Sequence, residues 1–156
     1  SSALASVLAI MSRYPDVPPN MMEMEVTETA CDLSKTTFAH LVDTFRETGL
    51  RVALDDFGSH YSSAAILANV NFDAIKLDRN LINDVPHNDS SRLLVKSIVE
   101  ICNNRHMTCI AEGIETEAQA SALVEEGCYY CQGFYYDKPM PADDFERKYL
   151  LNGASN

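Results

Sequence analysis

Stretches that favour β-strands alternate with helical stretches along most of the chain. The strand candidates are residues 21–28, 51–57, 73–78, 107–113 and 129–136. The helical candidates between and after them are residues 34–49, 62–69, 89–105, 116–126 and 141–151. Such alternation predicts an α/β fold with a parallel sheet whose helices pack outside it. A doubly wound sheet and a (β/α) barrel both satisfy the pattern.

Several residues mark where helices begin and end. Apolar side chains recur at helical spacing over residues 4–11, and Pro15 follows them. Ser34 can cap the next helix, Gly49 ends it, and Gly127 ends a later one. Because the chain opens on a helix with no strand before it, we expect it to begin inside a domain.

Length and charge exclude several classes of protein. The chain has 156 residues, 46% of them hydrophobic, and no apolar run approaches the ~20 residues needed to cross a bilayer. We therefore expect one soluble domain over residues 1–156, with no membrane insertion in this segment. The formal net charge of −11 would repel the phosphates of a DNA or RNA polymer and an anionic membrane surface.

The cysteines favour a reducing compartment. They number five and are irregularly spaced, so a secreted disulfide framework is disfavoured. We expect a cytoplasmic location, alone or as the cytoplasmic part of a larger, membrane-anchored protein. Cys128 and Cys131 form a C-x-x-C, but residues i and i+3 of a strand face opposite sides. The pattern therefore favours structural thiols over a redox pair or a zinc site.

Polar side chains end every strand candidate. They are Glu25, Glu28, Asp55, Asp56, Lys76, Asp78, Glu112, Glu115 and Gln132. A single strand-end aspartate is often only a helix cap or turn former, but in parallel α/β folds this edge is where sites are built. Carboxylates gathered there repel one another unless a cation neutralises them. Oxygen ligands select Mg²⁺ or Mn²⁺ over zinc, so we expect Asp55 and Asp56 to hold such a metal.

Five motifs in order resemble those of a known family. They are EVTE (25–28), DDFGSHYSS (55–63), KLD (76–78), AEGIET (111–116) and QGFYYDKPMP (132–141). In order and spacing they resemble the EAL domains, the cyclic di-GMP phosphodiesterases. The resemblance covers about residues 4–150. It implies a TIM-like (β/α) barrel that hydrolyses cyclic di-GMP to linear pGpG in bacterial second-messenger signalling, with two Mg²⁺ or Mn²⁺ ions.

The resemblance also implies roles for the residues at the metals. Glu25, Asp55 and Asp56 resemble metal ligands, and Asp78 lies at a position linked with the second metal. Glu112 resembles the acidic group at the second metal or its water. The resemblance thus implies that the paired aspartates of the DDFG motif bind metal cations.

Other motif residues correspond to positions around the substrate. Lys76 looks like the active-site lysine, while Glu115 and Gln132 occupy positions linked with substrate binding. Glu28 resembles the residue that orders the loop after Asp56.

The chain departs from the family pattern in ways that bear on activity. The Glu-Ala-Leu stretch is absent, and the only asparagine before Glu25 is Asn20, in a proline-rich turn. We expect an incomplete barrel that lacks roughly the first two strands, with an incomplete first metal site. These residues alone should then turn over cyclic di-GMP at least ~100-fold more slowly than a complete domain.

Two further expectations follow from these departures. An incomplete barrel leaves an open sheet edge, which a homodimer or strand exchange would cover. His60 stands where the family loop usually has glycine, so the loop either relaxes or loses part of its order. The alternative to an enzyme is a non-catalytic module that binds cyclic di-GMP or a protein partner.

Overall fold

Strands and helices alternate along the described part of the chain. The computed structural model describes residues 2–27, 35–59 and 64–151. The strands are β1 (Glu23–Thr27), β2 (Arg51–Phe57), β3 (Ala74–Leu77), β4 (Thr108–Ala111) and β5 (Tyr130–Cys131). The helices are α1 (Ser2–Met11), α2 (Lys35–Arg46), α3 (Ala64–Asn69), α4 (Arg79–Ile82), α5 (Asp89–Asn104), α6 (Glu117–Glu125) and α7 (Ala142–Phe145). A 3-10 turn (Pro19–Met21) precedes β1, and a π-helical segment (Glu146–Leu151) follows α7.

All five strands are parallel and lie side by side in chain order, β1-β2-β3-β4-β5. A doubly wound sheet would reverse its strand order at a switch point. The described sheet has no such reversal, which agrees with a (β/α) barrel. Because the strands are parallel, their carboxyl ends meet at one edge of the sheet, and this edge carries the polar motif residues.

The hydrophobic core lies between the sheet and its helices. Leu54 of β2 pairs with Ile75 of β3, and Ile75 pairs with Cys109 of β4; all three are buried. Phe38 of α2 and Val95 of α5 are buried in the same cluster. Side chains alternate along a strand, so Lys76 points to the face opposite Ile75. The charged side chain of Lys76 therefore lies on the inner face of the sheet, the face directed away from the helices.

The last predicted strand is wrong over most of its length. The prediction covered residues 129–136, whereas β5 contains only Tyr130 and Cys131. At Gly133 the backbone comes so close to Ile114 that an added Cβ would lie 2.2 Å from its N and O atoms. The Ile114 amide donates to the Gln132 carbonyl, and the Tyr135 amide donates to the Ile114 carbonyl. These bonds bend the chain away from the sheet.

The two helix ends predicted at glycines agree with the structure, whereas one short helix differs from the prediction. Gly49 and Gly127 follow α2 and α6 with φ of 88° and 87°, as expected of helix-ending residues. The four-residue α4 was not predicted. Ser34 lies outside the described residues. Among the helices that the structure describes, none combines the length and apolarity of a membrane span.

Candidate active site

Lys76 lies at the centre of a group of acidic side chains on the inner face of the sheet. Its Nζ is 2.6 Å from Glu25 Oε1 on β1 and 2.7 Å from Glu112 Oε1, just after β4. It is also 3.5 Å from Asp55 Oδ1 on β2. Only 10% of the Lys76 side chain is exposed. Carboxylates from β1, from β2 and from the residue after β4 thus converge on one lysine of β3.

Asp55 and Asp56 face the same site although they are neighbours in sequence. In a regular strand their side chains would point to opposite faces. The pairing of β2 with β3 shifts register between Leu54 and Phe57, as at a β-bulge, and Asp56 has a φ of 56°. Aspartate tolerates this left-handed conformation better than most residues. The irregularity aims a second carboxylate at the site.

Three carboxylates converge closely enough to share one cation. Among the described residues, oxygen atoms of Asp55, Asp56 and Glu112 lie within 4.8 Å of one another. Glu25, predicted with them, contacts Lys76 rather than this trio. Asp78, predicted at a second metal, caps α4 by accepting a bond from the Asn80 amide at 2.9 Å.

The charges at this site shift two pKa values upward. Burial raises the pKa of Asp56, and the neighbouring charges of Asp55 and Asp78 raise it further. Burial alone would lower the pKa of Lys76, but its bonds to Glu112 and Glu25 outweigh burial and raise that pKa above the ordinary value. Lys76 is therefore a firmly held cation, and Asp56 is a carboxylate that gains from a nearby positive charge.

Of the two residues predicted to bind substrate, Gln132 contacts the acidic trio, whereas Glu115 pairs with Arg79. Gln132 Nε2 donates a short hydrogen bond to Glu112 Oε1. Glu115 forms a 2.9 Å ion pair with Arg79, a residue that the motif comparison did not single out although it directly follows KLD. Glu28 and His60 lie outside the described residues.

A large cavity opens next to these residues. Its volume is about 1030 Å³, and its lining includes Glu112, Glu115, Gln132, Phe134, Lys138 and Tyr149. Lys138 Nζ lies 5.7 Å from the centre of the Phe134 ring. Phe134 and Lys138 were not predicted as site residues. The available signal was an aromatic and a cationic residue within QGFYYDKPMP, next to a predicted site glutamine.

The sequence matches the family model of the EAL domain over residues 1–139. The chain belongs to the EAL domain family. The EAL domain of Mycobacterium smegmatis DcpA is 29% identical, with a TM-score of 0.85 over 96% of this chain and 66% of that one. The fold of this EAL domain is thus the TIM-like barrel expected from sequence, of which the described residues form five parallel strands.

Two further relatives have a named activity or bound ligands. Cyclic di-GMP phosphodiesterase NbdA of Pseudomonas aeruginosa is 34% identical over 136 residues, which is 85% of this chain and 17% of NbdA. Klebsiella pneumoniae BlrP1, solved as a manganese and cyclic di-GMP complex, is 30% identical with a TM-score of 0.79, covering 86% of this chain and 35% of BlrP1. This EAL domain spans only 17% to 20% of the length of the first curated relatives that it matches.

The donors of this EAL domain fit a hard divalent cation. Asp55 Oδ1 is buried and has no hydrogen-bond partner among the described residues, although Lys76 Nζ lies 3.5 Å away. A buried, unpartnered carboxylate oxygen is unfavourable unless something positive binds it. With Asp56 and Glu112 it offers only oxygen atoms, the ligands preferred by Mg²⁺ and Mn²⁺.

Proposed function

We propose that this EAL domain hydrolyses cyclic di-GMP to linear pGpG with Mg²⁺ or Mn²⁺. The observation that carries the proposal is the convergence of Asp55, Asp56 and Glu112 beside Lys76 at the carboxyl edge of a parallel sheet. The activity for which NbdA is named and the ligands in the BlrP1 complex support the same reaction. In (β/α) barrels this edge is where catalytic residues are placed.

Asp55, Asp56 and Glu112 would hold the metal. A bound divalent cation lowers the pKa of water and offsets the negative charge of a reacting phosphodiester. Glu25 and Asp78 are proposed as further ligands, although Glu25 contacts Lys76 and Asp78 caps α4. For either one to bind metal, it would have to exchange its present hydrogen bond for the cation.

Lys76 supplies a positive charge of its own. The carboxylates around it hold it protonated, so its Nζ can donate to a phosphoryl oxygen as negative charge grows there. A lysine whose pKa is raised is a poor base. We therefore assign Lys76 to charge stabilisation and to orientation of the phosphate.

Glu112 is the residue best placed to handle the attacking water. Lys76 and Gln132 both contact its Oε1, which fixes the orientation of the carboxylate. Oε2 is the atom that we propose accepts a hydrogen bond from the water. Removal of a proton from that water makes it a stronger nucleophile toward phosphorus.

The cavity would hold the rest of the nucleotide. Glu115 and Gln132 line it together with the exposed ring of Phe134. Carboxylate and amide groups can pair with the donors and acceptors of a guanine edge, and an aromatic ring can stack on the base. These contacts would bind and orient cyclic di-GMP without taking part in bond breaking.

A single-turnover assay tests the reaction even if it is slow. The purified protein, in excess over cyclic di-GMP and with millimolar Mn²⁺, should form the linear dinucleotide, which chromatography separates from the cyclic one. Asp55→Asn should reduce the rate at least ~100-fold, because it removes charge from the cation site. Glu100→Gln, the same change on an exposed face of α5, is the matched control.

The outcomes separate the enzyme from the binding module. Turnover that requires Asp55 supports the proposed reaction. Binding of cyclic di-GMP without product, in an excess of Mn²⁺, would support the non-catalytic alternative. No binding and no turnover would refute both.

We also propose that the protein associates with itself through its sheet edges. β1 and β5 are the outer strands of the described sheet, and such strands offer backbone groups to another chain. Tyr129 and Tyr130 are largely exposed at the β5 edge. Light scattering at micromolar concentration should show a dimer or larger species. Tyr130→Lys should weaken it, whereas Leu93→Lys, at an exposed position of α5, should not. A monomer at that concentration would contradict the proposal.

A further inference from the structure

Four cysteines lie together in the layer between the sheet and its helices, away from the acidic site. They are Cys102 on α5, Cys109 on β4, Cys128 before β5 and Cys131 on β5, and all four are free thiols. Cys109 pairs with Ile75 and therefore faces the helices rather than Lys76. The proposed reaction uses none of them.

Cys128 is the central thiol of this group. Its Sγ lies 3.7 Å from the Cys109 carbonyl oxygen and 3.7 Å from the Tyr130 carbonyl oxygen. Cys131 Sγ in turn lies 3.8 Å from the Cys128 carbonyl oxygen. Hydrogen bonds from the thiols of Cys109 and Cys131 lower the pKa of Cys128, against the opposing effect of burial.

The structure removes the geometric objection to pairing Cys128 with Cys131. Residues i and i+3 of a strand face opposite sides, but β5 begins only at Tyr130, so the two cysteines do not lie on one strand. The Cys131 side chain turns back toward the Cys128 backbone. Tyr129 and Tyr130 between them are largely exposed.

Accessibility also favours this pair. Cys102, Cys109 and Cys128 are buried, whereas Cys131 is partly exposed. A small oxidant would therefore reach the cluster beside Cys131. Cys109 is less suited to form the bridge, because in the described sheet its strand is hydrogen-bonded on both sides, whereas β5 is bonded only to β4.

We propose that Cys128 and Cys131 form a redox-sensitive dithiol that hydrogen peroxide converts to a disulfide. The Cys128 thiolate attacks one peroxide oxygen, the O–O bond breaks, and the departing hydroxide takes a proton to leave as water. The resulting sulfenic acid is attacked by the Cys131 sulfur. The S–O bond breaks, and its hydroxide leaves as a second water with the Cys131 proton. The two thiols lose two electrons, and the peroxide gains them.

The disulfide would act on the neighbouring site residue. Cys131 directly precedes Gln132, whose side chain holds Glu112, and it pairs in register with Ala111, which directly precedes Glu112. Drawing Cys131 toward Cys128 shifts Gln132 away from Glu112. This step rests on the proposed cation site, and loss of such an outer hydrogen bond typically weakens metal binding about tenfold or more.

Peptide mapping tests the dithiol. The protein is treated with hydrogen peroxide, and its remaining free thiols are blocked by alkylation. Chymotrypsin then cleaves after Tyr129 and Tyr130, which separates the two cysteines. A Cys128–Cys131 disulfide then links two peptides, and dithiothreitol releases them. Cys131→Ser should abolish the linked species, whereas Cys102→Ala should keep it.

Other products would overturn the pairing. A disulfide from Cys128 to Cys109 or Cys31, or only irreversible sulfinic and sulfonic acids, contradicts it. If Cys131→Ser does not fold, chymotryptic mapping of the unmodified protein still decides the question.

A Mn²⁺ titration tests the link to the active site. Oxidation should weaken Mn²⁺ binding about tenfold, dithiothreitol should restore it, and Cys131→Ser should be insensitive to peroxide. A disulfide without a change in Mn²⁺ affinity would overturn the link to Gln132 but not the dithiol. Failure of the reduced protein to bind Mn²⁺ would refute the cation site instead, and the mapping would still decide the dithiol.

Discussion

Asp55 and Asp56 are adjacent in the chain, yet both present a carboxylate to one site, because Asp56 has a φ of 56° at a shift in strand register. Two like charges on neighbouring residues repel each other, and Asp56 is held in an uncommon backbone conformation as well. Both features oppose folding in the absence of a cation. The arrangement therefore lowers the stability of the metal-free protein and becomes favourable when a metal binds.

The charge on Asp56 should destabilise the metal-free fold near neutral pH. Its pKa is raised above the ordinary value of 3.8, so the ionised form is disfavoured in the folded state. This destabilisation is present above the raised pKa and disappears as the pH falls through that pKa toward 3.8. In EDTA, Asp56→Asn should therefore have a higher free energy of unfolding than the unmodified protein at about pH 7, and the difference should shrink toward about pH 4.

Urea denaturation at several pH values measures this difference. Asparagine also adopts positive φ, so the substitution changes charge with little change of backbone preference. Excess Mn²⁺ should reverse the order, because only the unmodified protein keeps the full ligand set. A less stable Asp56→Asn variant in EDTA would contradict the assigned electrostatics.

Loss of the Lys76 ammonium should affect catalysis more than binding. Lys76→Ala should lower kcat about 100-fold or more, because the charge acts mainly on the developing negative charge of the transition state. The affinity for cyclic di-GMP should change much less. Single-turnover rates at varied protein concentration separate the two effects, with Lys96→Ala at an exposed position of α5 as the control. An equal loss in kcat and affinity would remove Lys76 from the proposed role.

The pH–rate profile should lack a lysine ionisation in the alkaline range. The pKa of Lys76 lies above its ordinary value of 10.5, so the charge and its stabilising contacts persist below that pH and are lost only as pH rises through the raised pKa. From about pH 7 to about pH 10, kcat should show no decline caused by this residue. A decline near pH 9 that disappears in Lys76→Arg would show that the lysine loses its proton there.

Gly133 should be the least replaceable glycine of the site region. An added Cβ would lie 2.2 Å from backbone atoms of Ile114, which cannot move without breaking the bonds that connect the two segments. Gly133→Ala should lower the free energy of unfolding by about 2 kcal/mol or more. Gly127→Ala is the matched control, since its added Cβ meets only Val99 at 3.5 Å and the main penalty is its φ of 87°, about 1 kcal/mol. Equal losses in the two variants would contradict the close contact at Gly133.

The parallel sheet and its polar edge follow from sequence because both depend on strong local patterns. Strand and helix periodicities alternate, and parallel strands necessarily bring Asp55, Lys76 and Glu112 to one edge. The family motifs add the barrel, which the comparisons with known proteins confirm.

Other features depend on contacts that local patterns do not encode. The register shift at Asp56 arises from pairing between β2 and β3. The early end of β5 follows from the approach of Gly133 to Ile114, two segments separated by a helix. The Arg79–Glu115 ion pair likewise joins the first residue of α4 to the segment between β4 and α6. Each is a tertiary contact that overrides what the local sequence favours.

In the metal-free protein the Lys76 ammonium group partly takes the place of the metal ion. The ammonium group sits among Glu25, Asp55 and Glu112 and balances part of their charge within the chain itself. Newly synthesised protein can therefore bring these strand ends together before any metal binds. Metal loading then adds an ion to an already assembled site, and of the carboxylates around Lys76 only Glu25 would have to leave the lysine to become a ligand.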